Sequence, residues 1–306
     1  MSKVEHAETF FVAPAYGAAM RELGIDTRSI FSHASIKPWR TLPDRENCLL
    51  DETLVDGSHV RWHIKRYKES GGTKSPAEGD ISGTALLVAA GIPTAPVVSH
   101  GRLSDGRSFV IYEDLTGFTP ADKLIAGGAE FERLLAPTAQ LAAKLHDAGL
   151  HHRDLYLCHF MAKIEDTTTL SETDAVTRAS SPCLNLSNEE THKIPRNSAR
   201  AGSPCHNDAA LTAVTKLIDT ARVARLSNPL TRRRWIVKDL AQFWYSTRKL
   251  AVSDEQRSRW LKLYVETRGI SSKGLQAAVE RKARSIARHD VKLNLQQPTR
   301  NVSLAD

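Results

Sequence analysis

The sequence predicts an α+β chain in two lobes, a small β-rich one followed by a larger helical one. Three observations carry this. Alternating runs around residues 48–55 and 59–65 flank Asp56-Gly57, the strongest short-range hairpin signal. Residues 130–148 place Leu134, Leu135, Leu141, Ala142 and Leu145 at helical spacing. Three further helical segments follow from Trp235 onward. At 306 residues the chain is long enough for one large domain or two coupled lobes.

Taken in order, residues 1–46 mix short apolar pieces with Pro14, Gly17, Pro38 and Pro43, and read as a loosely structured lead-in. The small lobe is expected over 47–114. Its second hairpin strand sets Val60, Trp62 and Ile64 on one face, with His59, Arg61, His63 and Lys65 on the other. A helix then ends at Gly91, just before Ile92-Pro93, a glycine-then-proline stop. Phe109 to Tyr112 reads as a buried strand running into Glu113-Asp114-Leu115.

The larger lobe is expected over 115–306. Gly149 closes the helix of 130–148. Residues 166–212 are rich in Ser, Thr, Asn and Pro and poor in large apolar side chains, so a flexible insert is expected there. Order resumes at Lys216-Leu217-Ile218-Asp219. Helices are expected over 235–250, 254–267 and 275–289, the middle one opened by a Ser253-x-x-Gln256 capping box.

Charged residues make up 25% and apolar ones 41%, as in a soluble globular protein. The four cysteines form no CxxC pair, which predicts a reducing compartment without a disulfide framework. The charged opening MSKVEHAETF lacks the apolar run of a secretion signal, and no apolar stretch is long enough to cross a bilayer. A net charge of +7 favours polyanionic partners. No reader motif for nucleic acid accompanies that charge, so nucleic acid is not expected as a partner.

The residues that carry chemistry fit phosphoryl transfer. That reaction needs a lysine on the nucleotide phosphates, acidic groups on magnesium and a carboxylate to orient the attacking hydroxyl. Lys65 in the first third, Asp154 after the helix closed by Gly149, and Asp219 after an apolar strand supply them in order. A zinc cluster of His151, His152, Cys158 and His159 fits no common ligand spacing.

Residues 145–160, LHDAGLHHRDLYLCHF, resemble the catalytic loop of the lipopolysaccharide kinase (Kdo/WaaP) family, a branch of the protein-kinase-like superfamily. Ile111 to Leu115, Gly91 to Thr94, Leu217 to Asp219 and Arg233 to Tyr245 extend the resemblance in the correct order. It implies a two-lobed protein-kinase-like fold and ATP-dependent phosphorylation of a sugar hydroxyl, heptose or Kdo, of the lipopolysaccharide inner core. By resemblance Asp154 is the catalytic base, Lys65 binds the ATP phosphates, and Asp219 and His159 hold Mg2+. Backbone groups of Glu113 to Leu115 receive adenine, and Asp239 braces the loop that contains His152 and Arg153. The family's acidic partner of Lys65 is a Glu. Here Asp80 stands in that place, with Glu78 close by and Gly79 and Gly83 weakening the helix. No GxGxxG covers the phosphates. Two alternatives accompany this reading: a kinase-like phosphotransferase with a protein or other small-molecule acceptor, and a non-catalytic scaffold that binds nucleotide or lipid.

The implied partner is a lipid-linked sugar acceptor, and the implied place is the cytoplasm, peripherally on the inner membrane. The final helix supplies an expected contact with an anionic surface. Leu275, Val279 and Ile286 mark an apolar stripe, and Arg281, Lys282, Arg284, Arg288 and Lys292 make the helix basic.

Overall fold

The computed structural model describes residues 6–70, 74–164 and 213–296. The first lobe comprises β1 (Thr9–Val12), α1 (Gly17–Glu22), β2 (Lys37–Thr41), β3 (Arg45–Thr53), β4 (His59–Tyr67), α2 (Pro76–Ala89), β5 (Val97–Arg102) and β6 (Ser108–Glu113). Its strands form one sheet in the order β1-β5-β6-β4-β3-β2, each neighbour antiparallel. The Asp56-Gly57 turn joins β3 to β4, with Gly57 at φ 82°, a conformation glycine adopts without steric cost.

The pleat of β4 and β6 divides the lobe into two cores. Trp62, Ile64, Phe109 and Ile111 point to a face covered by Met20, Ile25, Ile30 and Ile36. Tyr67, Val110 and Tyr112 point the other way, toward Ala77 of α2. Lys65 shares that second face, because it alternates with Ile64.

Residues 9–46 are therefore no loose lead-in, which corrects the expectation for 1–46. They supply both edge strands and the lid of one core. Met20, Ile25, Ile30 and Ile36 are each buried, but irregular chain separates them, so no periodic signal marks them. Pro38 lies in the edge strand β2, where proline is tolerated.

The second lobe contains β7 (Thr119–Pro120), α3 (Ala121–Ala126), α4 (Glu132–Asp147), β8 (Leu150–His151), β9 (Phe160–Ile164), β10 (Ala213–Leu217), β11 (Ala224–Arg225), α5 (Pro229–Ser246), α6 (Asp254–Arg268) and α7 (Leu275–Gln296). Its core gathers Leu141 and Leu145 of α4, Phe160 of β9, Phe243 of α5, Trp260 of α6 and Val279 of α7. The Phe243 and Trp260 rings stack at 3.8 Å between centroids. Small sheets β10-β9-β7 and β11-β8 carry the loops between the helices.

The chain leaves β9 at Ile164 and re-enters β10 at Ala213 directly opposite, so Phe160 faces Leu217. Asp154 and Asp219 are thus brought together by a hairpin whose connecting segment, the expected insert of 166–212, lies outside the described residues. α5 begins at Pro229, ahead of the expected start at 235, because Asn228 caps it by accepting from the Leu230 amide at 2.9 Å. The capping box at Ser253 and Gln256 is present.

The stripe on α7 meets a different fate from the one expected. Leu275, Val279 and Ala283 are buried and Ile286 packs against the same core, so the apolar face is spent on the lobe itself. The exposed side retains Arg281, Arg284, Arg288 and Lys292. Among the described residues no helix is long and apolar enough to cross a membrane.

Candidate active site

Lys65 is the hub of one side of the site. Its Nζ lies 2.8 Å from Asp80 Oδ1 and 2.8 Å from Asp219 Oδ1. Burial opposes its charge, but Asp219 and Asp80 outweigh burial and hold the ammonium above the ordinary lysine range. Asp80 has no exposed side-chain surface. It accepts hydrogen bonds from Tyr67 and Tyr112 as well as from Lys65. Glu78 is not the partner: with Ser75 it closes the capping box of α2, its Oε1 accepting from the Ser75 amide at 3.0 Å.

The shorter Asp80 works because α2 lies unusually close to the turn after Asp219. A Cβ on Gly83 would meet the Thr220 carbonyl oxygen at 1.9 Å, and one on Gly79 the Ala221 carbonyl oxygen at 3.0 Å. Thr220 Oγ1 donates to the Asp80 carbonyl at 3.0 Å and shares a 2.8 Å bond with Thr84. The glycines that weaken the helix in isolation are what let it carry a short acid to Lys65.

Asp219 sits at φ 60°, left-handed backbone unusual for a non-glycine residue. Burial alone would raise its pKa; Lys65 and then His159 hold its carboxyl well below the usual carboxylate range. His159 Nδ1 donates to the Asp154 carbonyl at 2.6 Å, and its Nε2 lies 3.7 Å from Asp219 Oδ2. Burial lowers the His159 pKa, but the Cys158 side chain and Asp219 raise it by more, to about 9. Among the described residues no group of three or more His, Cys, Asp or Glu side chains could hold a metal. Magnesium takes oxygen ligands and is commonly held by one or two carboxylates plus substrate phosphates, so Asp219 fits it. His159 is here a cation beside that carboxylate, and it can ligate only after losing its proton.

Asp239 organises the loop of His152 to Asp154. Its carboxylate accepts from the His152 amide at 2.7 Å and the Arg153 amide at 2.9 Å, and lies 3.3 Å from His146 Nε2. Arg153 is held at φ 69°, with its guanidinium 4.6 Å from the Trp235 ring centroid. Lys238 donates to the Arg153 carbonyl. His152 is fully buried and donates from Nε2 to the Ile218 carbonyl at 3.0 Å, which ties the loop to the strand that presents Asp219. Burial, with His159 nearby, keeps its pKa low, so it is a neutral donor.

The Asp154 side chain meets Arg222 Nη1 at 3.0 and 3.2 Å and Gln242 Nε2 at 3.3 Å. Asp154 and Asp219 open on one cleft of about 780 Å³, walled by α5, α7 and Arg45 of β3. Tyr16 donates to Glu113 Oε2 at 2.8 Å, and burial together with Glu113 pushes its pKa up to about 12. The Glu113 and Asp114 amides are already committed, to Pro96 and Arg61 carbonyls. Among the described residues the Leu115 amide makes no backbone hydrogen bond.

All ten residues singled out in the sequence thus fall on one continuous network or on the segment leading into it. Sequence reasoning missed Tyr67, Tyr112, Thr220, Arg222 and Gln242, which touch Asp80 or Asp154. Arg222 follows Asp219 by three residues, a position that carries no warning of a contact with Asp154.

Comparison with known proteins bears on the same segment. The lipopolysaccharide kinase (Kdo/WaaP) family matches residues 85–175, which contain the whole segment from His152 to His159. Over that stretch the chain is similar to these kinases. It is also similar to the lipopolysaccharide core heptose(I) kinase WaaP of Escherichia coli (strain K12), 26% identical over 164 residues. That match covers 51% of this chain and 46% of WaaP, less than half of the relative. Among solved structures, the WbdD co-crystal with the kinase inhibitor LY294002 shares 14% identity at a TM-score of 0.38, over 81% of this chain and 49% of that one. A second crystal structure of WbdD shares 13% at 0.39, over 80% and 49%. Likeness that distant transfers neither activity nor ligand.

Proposed function

We propose that the chain is an ATP-dependent phosphotransferase whose acceptor is a sugar hydroxyl, heptose or Kdo, of the lipopolysaccharide inner core. The observation that carries this is the joint placement of Asp154 and Asp219 on one cleft, with Lys65 bridging Asp219 to a buried Asp80. The family match and the likeness to WaaP support the choice of acceptor.

In this reading Lys65 holds the nucleotide phosphates, and the Leu115 amide is the donor open to adenine. Magnesium held by Asp219 would neutralise charge on the phosphates. Asp154 takes the proton of the acceptor hydroxyl as its oxygen bonds to the γ-phosphorus and ADP departs. Arg222 and Gln242 fix the direction of that carboxylate. The lipid-linked acceptor is met at a membrane surface, where Arg281, Arg284 and Arg288 give electrostatic, salt-sensitive docking without insertion.

Purified protein with ATP, magnesium and core oligosaccharide should add phosphate to the sugar, read by mass spectrometry. Asp154→Asn should lower turnover about a hundred- to ten-thousand-fold while nucleotide affinity stays within about twofold. Absence of transfer to any core sugar by the unaltered protein would defeat the proposal.

A further inference from the structure

The cleft facing Asp154 has more positive charge than its own carboxylates use. Arg45, Arg222, Lys238 and Lys282 line it, together with Asp154, Asp219 and Asp290. Each of these acids already has a partner: Arg222 on Asp154, Lys65 on Asp219, and the Tyr245 hydroxyl on Asp290 at 2.5 Å. The cations are less well served. Among the described residues Lys282 makes no ion pair or hydrogen bond, and Arg45 Nε is buried with no hydrogen-bond partner. The nearest acid to Arg45, Asp44, is 3.9 Å away. Lys238 donates only to a neutral carbonyl. Burial depresses the Lys238 pKa, and the like charge of Arg222 adds to this against the pull of Asp154.

We propose that this cleft binds an anionic group of the acceptor, a sugar carboxylate or phosphate beside the hydroxyl that faces Asp154, with Lys282 and Arg45 as its principal contacts. Lys65, which serves the nucleotide in the phosphotransferase reading, does not line this cleft, whose principal contacts come from opposite lobes, Arg45 from β3 and Lys282 from α7. This inference rests on the phosphotransferase reading and narrows its substrate to acidic sugars.

The test uses the full chain saturated with a non-hydrolysable ATP analogue and magnesium, so that the probes do not compete for Lys65. Kdo and its methyl ester, and glucose 6-phosphate and glucose, are titrated in turn by calorimetry. At least one charged probe should bind about tenfold or more tightly than its neutral counterpart. Which pair shows the preference identifies carboxylate or phosphate as the recognised anion. Lys282→Gln and Arg45→Gln should each erase most of that preference, and Lys292→Gln, on the exposed side of α7, should leave it intact. Equal binding of charged and neutral probes, or a preference that survives Lys282→Gln, overturns the proposal. A preference found in a protein that transfers phosphate to no sugar would leave the anion site standing and remove the phosphotransferase reading.

Discussion

Asp80 and Asp239 are both carboxylates with no exposed side-chain surface, yet they do different work. Asp239 is satisfied within its own lobe by the backbone amides of His152 and Arg153 and by His146. None of those partners lines the cleft, so Asp239 holds the shape of the His152–Asp154 loop as part of folding. Asp80 is satisfied by Lys65, Tyr67 and Tyr112 of the small lobe, and Lys65 continues to Asp219 in the large one. Its environment is shared between lobes. Buried carboxylates of equal depth thus divide into one that holds a loop and one that couples two bodies.

The largest effect expected from this contrast is on Asp239. Asp239→Ala strips two buried amides of their acceptor and should cost about 3–5 kcal/mol, since removing one partner of a buried ionic cluster leaves the rest uncompensated. Urea unfolding measures it. A loss below about 1 kcal/mol would mean that the catalytic loop holds its shape without that carboxylate.

Gly83→Ala comes next and probes the coupling instead. The added Cβ must push α2 away from the Thr220 carbonyl, a backbone contact with no flexible side chain to yield. The strain should cost about 1–3 kcal/mol, and the displaced Asp80 should weaken nucleotide binding by about tenfold or more. Asp80→Glu, which restores the residue expected from the family, should also destabilise, because the space was closed for the shorter acid. Improved nucleotide affinity in that variant would show that Asp80 is a defect that the glycines do not compensate.

These two regions also differ in how far the sequence disclosed them. The segment around His152, Arg153 and Asp154 is contiguous and so was legible, whereas its brace Asp239 was legible only through the resemblance of residues 233–245. The β3–β4 hairpin was legible too, because the Asp-Gly turn and the alternation are local signals. The surroundings of Asp80 were not. Its contacts join β4, β6, α2 and the turn after Asp219, and Gly83 looked like a fault in a helix until the Thr220 carbonyl was seen against it. Residues 9–46 escaped for a related reason, since Met20, Ile25, Ile30 and Ile36 reach one core from short pieces with no shared period. Local order is written in spacing; close approach between distant segments is written only in the fold.

The smallest expected effect concerns the boundary between the two regions, where His159 touches both Asp154 and Asp219. Its pKa in the folded chain stands at about 9, above the ordinary histidine value of about 6.5. A raised histidine contributes its full stabilisation below the unfolded value and loses it as pH rises through the folded one. The stability gap between the unaltered protein and His159→Gln should therefore be widest near pH 6 and narrow toward pH 10, on the order of 1 kcal/mol for each pKa unit of the shift. Urea unfolding of both proteins across that range, without magnesium or nucleotide, measures the gap. If the gap stays constant, the imidazole is not held charged by Cys158 and Asp219, and His159 belongs with the neutral, loop-holding contacts on the Asp239 side.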